Sequence, residues 1–148
     1  MEQFRVPVVK RAARIRSTDG QLLTGSIFLP ALAPDHDGPM RVEEWINHHE
    51  AFFPFLPEGE SRSRILNKHN VLDLTLLDHP DTEIDSIGLP QEVIVECGAL
   101  HLDGTAWIDM PEHASRLLDW VNQPSAFILI RDSNGIHILQ KRAITFIA

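Results

Sequence analysis

The sequence predicts an α+β fold, mostly β, built as two tandem repeats of a strand-strand-helix-strand-strand-strand unit, each small and barrel-like and the two related by a pseudo-twofold. Three observations predict it. RVEEWINHHEAFFPF at 41–55 recurs without a gap as RLLDWVNQPSAFILI at 116–130, pairing Arg41 with Arg116, Trp45 with Trp120, Asn47 with Asn122, Ala51 with Ala126 and Phe52 with Phe127. A later ungapped register pairs Ile65 with Ile138, Leu66 with Leu139, Lys68 with Lys141 and Val71 with Ile144. In both copies a helically spaced apolar segment leads into short apolar runs bounded by turn residues. Repeat 1 is assigned to 1–77, a linker to 78–90 and repeat 2 to 91–148.

Residues 6–18 alternate towards their end, with Ala13, Ile15 and Ser17 opposite Arg14 and Arg16, which predicts a strand. Asp19-Gly20 tolerates the positive φ of a tight hairpin, and Gln21 to Leu29 is the returning strand. Gly25 inside that strand predicts a bulge or sharp bend, with a glycine tolerated at an edge as the alternative. Pro30 and the following ALAPDHDGPM predict a loop over 31–40, longer than the counterpart before Arg116.

Val42, Trp45, Ile46 and His49 fall at i, i+3, i+4 and i+7, predicting an inserted helix at about 41–49. Ala114, Leu117, Trp120 and Val121 predict its counterpart at about 112–122. The apolar runs 51–56 and 126–130 predict the third strands, and Pro54 puts the first of them at an edge or a bulge. Each copy then closes with two strands about a small basic turn. LDHPDTEIDSIGLP, with Pro80, Gly88 and Pro90, has linker chemistry, and the second copy opens with strands at Gln91 to Cys97 and Leu100 to Ile108. Its Asp103-Gly104 does not fall where Asp19-Gly20 falls.

A chain of 148 residues with 43% hydrophobic content buries a real core, as one domain or as two small units sharing one. Acidic residues outnumber basic ones 21 to 13, giving a net charge of -8, the wrong sign for gripping a phosphate backbone, so nucleic acid is disfavoured. The single cysteine, Cys97, lies in the apolar VIVECGAL and reads as a small buried thiol. MEQFRVPVVKRAARIR lacks the apolar segment of a secretory signal, and no apolar run is long enough to cross a bilayer. The expectation is a cytoplasmic protein with no membrane partner.

The order of elements resembles an Sm-like or SH3-like small barrel with a helix between strands two and three. The residues carrying the resemblance are Asp19, Gly20, Gly25, the run Phe52 to Leu56, Ile65 to Lys68, and Val71 to Leu74, with Ala126 to Ile130 and Ile138 to Ile147 in the second copy. The unit is also similar to a bacterial family of unknown function. The Sm resemblance implies base-binding positions: Asn47 and Asn122 fall near one, and Asn67, Lys68, His69 with Gln140, Lys141, Arg142 fall at the other, where the expected Gly is missing from both copies. An Asn or Gln followed by Lys is equally a comfortable turn.

Asp35, His36, Asp37 and Asp78, His79, Asp81 combine imidazole and carboxylate, as do His48, His49, Glu50, the set singled out as a metal candidate. On a helix, adjacent His48 and His49 would point about 100° apart, unlike a helical i, i+4 pair. No phosphate-cradling loop, nucleophile elbow or spaced triad is present, so neither catalysis nor a cofactor is expected. The expected function is a protein-interaction or assembly module, through a protein partner or self-association. RNA or nucleotide binding through the Lys68 and Lys141 turns is the first alternative, and ligand or metal sensing through the His-rich segments of repeat 1 is the second.

Overall fold

Alternation from Ala13 to Ser17 sends Ala13 and Ile15 into the interior, and the segment forms strand β1 (Val8–Ser17). In the computed structural model, residues 7–78, 88–110 and 116–148 are described. The elements that follow are β2 (Leu22–Pro30), α1 (Val42–Ile46), β3 (Phe52–Pro57), β4 (Arg64–Asn67) and β5 (Val71–Leu76). The second part of the chain supplies β6 (Leu89–Cys97), β7 (Leu100–Ile108), α2 (Arg116–Val121), β8 (Phe127–Asp132), β9 (Gly135–Gln140) and β10 (Ile144–Ile147). Short 3-10 turns at Lys68–Asn70 and Lys141–Ala143 join β4 to β5 and β9 to β10.

The ten strands of the described residues form one antiparallel sheet in the order β10-β6-β7-β8-β9-β5-β1-β2-β3-β4. The sheet is open, so the barrel-like units expected from the sequence give way to a single ladder ending in β4 and β10. Strand β5 ties the two parts together, pairing with β1 on one side and with β9 on the other. The Asp19-Gly20 hairpin forms as expected, with Gly20 at φ +91°. In the second part that role falls to Gly98, at φ +56°, between Cys97 and Leu100.

Two hydrophobic cores flank the centre of the sheet. Ile15, Ile27, Phe55 and Leu74 anchor the first, and Val95, Ala106, Ile108 and Ile130 the second. Strands β8 and β9 divide their side chains between them: Phe127, Leu129, Ile136 and Ile138 join the first core, while Ile128, Ile130 and Leu139 join the second. Burial on both faces explains why β8 opens with the continuous apolar run FILI, and it also buries the polar residues that alternate with apolar ones in β5 and β9. Strands β3 and β4 lie at the rim and keep one exposed face.

Gly25 pairs regularly with Ala13, so the expected bulge does not occur there. The glycine is required by a close crossing: a Cβ at that position would lie 2.1 Å from Leu56 O. Gly104 pairs with Val93 and faces the same obstacle, with its Cβ position 2.5 Å from Arg131 O. Pro54 pairs with Ile65 of β4, while β2 meets β3 only at Leu56 and Pro57, so the proline sits where no β2 partner needs its missing N–H.

Helix α1 is shorter than expected. It ends at Ile46, and Asn47, in an αR conformation, is its C-cap. The side chains of Asn47 and Lys68 make tertiary bonds at that point, and His49 lies beyond the helix, exposed instead of on its buried face. The N-terminus is closed by Glu44, whose Oε1 accepts the Arg41 N–H at 2.9 Å. Of the second predicted helix, 116–121 is helical and 111–115 lies outside the described residues. The sequence-assigned linker shortens at its end because β6 already begins at Leu89, while 79–87 is outside the described residues. No helix among the described residues is long and apolar enough to cross a membrane.

Candidate functional site

The seam between the two parts of the chain carries a dense set of polar bonds. Strand β5 meets β9 in the register Asp73–Leu139, Leu74–Ile138 and Thr75–His137. Beside it, Asn47 grips β8: its Oδ1 accepts the Phe127 N–H at 2.9 Å and its Nδ2 donates to Phe127 O at 3.1 Å. One helical turn earlier, Glu43 Oε2 accepts the Leu129 N–H at 3.2 Å. One acceptor lies in α1 and the other is its C-cap, and both donors are N–H groups of β8.

The sequence-predicted binding residues cluster at this seam, and several carry structural bonds. The Gln140 amide donates to Lys68 O, His69 O and Val71 O at 3.1, 3.1 and 2.9 Å. Lys68 is buried, and its Nζ donates to Trp45 O at 3.3 Å and His48 O at 3.2 Å, closing the C-terminal end of α1. Burial lowers its pKa, with the charge of Glu50 acting against that shift. Lys141 does the equivalent after α2, donating to Gln123 O at 2.8 Å, and burial lowers its pKa against the charge of Glu43. Asn67 accepts the His69 N–H with its side chain. His69 and Arg142 are exposed side by side, with Arg142 Nη1 at 3.4 Å from His69 Nδ1.

His48, His49 and Glu50 are exposed, and their ligating atoms lie within 4.8 Å of one another. The expected 100° divergence is corrected: both histidines lie past the end of α1, and their rings approach to 4.2 Å between centroids. They line a cleft of about 200 Å³ that also takes in Lys68, His69 and Arg142. The other two clusters are not brought together as ligand sets among the described residues. His36 bonds to Glu44 at 2.6 Å, and Asp78 to Arg11 at 2.9 Å, while His79 and Asp81 lie outside the described residues.

A buried ionic group at the seam was not foreseen. His137 Nδ1 lies 3.3 Å from Asp73 and 3.1 Å from Thr75 Oγ1, and its Nε2 lies 3.0 Å from Asp132. Burial pulls the imidazole pKa down, but the hydrogen bonds and charges of Asp73 and Asp132 outweigh it, and the net shift is upward. Alternation within DLT and GIHIL was the available signal, obscured because both faces of β5 and β9 are buried. Cys97 is buried as expected, and burial, with the charge of Asp73, pushes its thiol up to about 11.

The two ends of the sheet are apolar and exposed. At the β3–β4 end, Phe52 is 55% and Ile65 67% exposed, beside a groove of about 560 Å³ that both residues line. Towards the β10 end, Phe146 is 47% and Leu118 of α2 60% exposed. A second groove, of about 680 Å³, reaches from Glu92 to Ala148. Comparison with protein-family models, with curated proteins and with solved structures gives no match to this chain.

Proposed function

We propose that the chain is a tandem duplication of one five-strand, one-helix unit and that it works as a non-enzymatic assembly module, joining partners by sheet extension at β4 and β10. The duplication is supported by bonds that recur at matched positions. Lys68 N–H donates to Ala51 O at 2.8 Å and Lys141 N–H to Ala126 O at 2.9 Å. Thr18 N–H donates to Asn70 O and Gly98 N–H to Ala143 O, each at 2.9 Å. The bulge where β1 meets β5 has a counterpart where β6 meets β10.

The observation that carries the assembly reading is a contrast in burial. Phe127 and Ile138 are buried in the first core, while their sequence counterparts Phe52 and Ile65 are exposed on the rim. Exposed apolar rim residues beside an unpaired strand edge suit strand addition by a partner. Size-exclusion chromatography with light scattering and affinity capture test this. A strict monomer that retains no protein overturns it.

A second reading, a divalent cation held by His48, His49 and Glu50, is favoured by the convergence of their ligating atoms. Titration with zinc should raise the melting temperature of the wild type and not of His48→Ala/His49→Ala; no shift in the wild type overturns it. RNA binding has less support, because the Lys68, Lys141 and Gln140 side chains donate to the protein's own carbonyls.

A further inference from the structure

We infer that the partner at each end of the sheet is a second copy of this chain, joined head to tail, with β4 of one copy added to β10 of the next. The inference rests on the assembly reading and specifies its partner. Its basis is that the chain already makes this joint once, internally. β5 and β9 are the last and the penultimate strands of the two halves, and they pair at the seam. Their sequence counterparts are β10 and β4, and these are the two strands left at the ends of the sheet.

Carrying the internal register across by the correspondences Ile65/Ile138 and Val71/Ile144 fixes the outer one. Asp73–Leu139, Leu74–Ile138 and Thr75–His137 become Phe146–Leu66, Ile147–Ile65 and Ala148–Arg64. Phe146 and Ile65, both exposed in the single chain, are thereby covered. Asn122, the exposed counterpart of Asn47, comes opposite the backbone of Phe52, the counterpart of Phe127.

The point at which the two joints differ is itself complementary. Inside the chain, the Glu43 carboxylate meets the Leu129 N–H. The counterpart of Glu43 is Leu118, and the counterpart of Leu129 is Pro54, which has no N–H to offer. The acceptor is absent where the donor is absent, and an exposed Leu118 comes opposite an exposed Pro54. Likewise the polar Asp73, Thr75 and His137 are replaced by Phe146, Ala148 and Arg64, which makes the outer joint more apolar than the inner one. Because the two ends differ, the contact is heterologous, and its repetition closes a ring or extends a filament.

The test is complementation between singly blocked variants of the full chain. Phe52→Asp/Ile65→Asp blocks the β4 end, and Leu118→Asp/Phe146→Asp blocks the β10 end. All four positions are exposed, and retention of the wild-type circular dichroism spectrum verifies folding. Wild type should show a native mass of two or more copies. Each variant alone should be a monomer, and a mixture of the two should give a 1:1 heterodimer by native mass spectrometry, joined through the one open end that each retains. A wild-type oligomer that persists in either variant, or variants that fail to pair when mixed, overturns head-to-tail joining. A wild-type monomer that captures a foreign protein, and loses it on Ile65→Asp, overturns self-association but leaves the assembly reading standing. A wild-type monomer with no partner overturns both.

Discussion

Asn47 and Phe127 are joined by a reciprocal pair of hydrogen bonds, the side-chain amide accepting from the Phe127 N–H at 2.9 Å and donating to its carbonyl at 3.1 Å. A single side chain at the end of α1 thus completes the backbone pairing of a strand from the other part of the chain. Asn47→Ala leaves both groups of Phe127 short of a partner at a partly buried site. It should cost about 1–3 kcal/mol of unfolding free energy in urea titration. Asn122→Ala, at an exposed position, should leave the stability of the isolated chain within about 0.5 kcal/mol of wild type.

Gly25 and Gly104 are predicted to be intolerant of any side chain. The obstructing atoms are carbonyl oxygens of β3 and β8, which move only with their strands. Gly25→Ala and Gly104→Ala should each destabilise by about 1–3 kcal/mol or more, read from thermal or urea unfolding. Gly20→Ala meets no atom within 4 Å and is opposed only by its positive φ, so its cost should be smaller.

His137 makes stability depend on pH with a definite sign. Its folded pKa is raised, because Asp73 and Asp132 favour the imidazolium more than burial opposes it. The native state therefore holds this proton more tightly than the unfolded chain. The stabilisation is complete below the ordinary imidazole value of about 6.5 and is lost as pH rises through the higher folded value. His36 and His101, both raised by hydrogen bonds to neighbouring groups, act in the same direction. The part owed to His137 is the part of the slope that disappears in His137→Gln, measured as melting temperature against pH. A slope unchanged in that variant contradicts the assignment.

Lys68 is predicted to matter for stability. Removing its ammonium takes the side-chain donor from His48 O and from Trp45 O, which keeps the His48 N–H, and Lys68→Ala should cost about 1–3 kcal/mol. His69→Ala, at an exposed neighbour, should stay within about 0.5 kcal/mol. Equal, negligible effects of the two changes would reopen the nucleic-acid reading, for which salt-dependent RNA binding is the direct measurement.

Much of the strand content was legible because turn chemistry and apolar runs are local signals. Asp19-Gly20, Pro30 and the basic turns near Lys68 and Lys141 marked element ends within a few residues. The site was less legible. Asn47 read as near a base-binding position, whereas its partner lies in β8, a contact no local pattern encodes. His137 alternates with Ile136 and Ile138 in β9, but both faces of that strand are buried, so the alternation did not mark a solvent face. Helix α1 was overextended because His49 continues the 3.6-residue period, while the chain leaves the helix after Ile46 at a point where Asn47 and Lys68 make tertiary bonds.

By itself the sequence determined that the chain is mostly β, where most of its strands begin and end, and that two stretches correspond residue by residue, since these follow from backbone preference and side-chain period. Only the tertiary structure decided that the strands form one open sheet instead of two barrels, that β5 pairs with β9, and that β4 and β10 are left at the ends. Strand pairing is a long-range choice between chemically similar edges. It is settled by which side chains can be buried together, as Phe127 and Ile138 are in the first core while Phe52 and Ile65 are not.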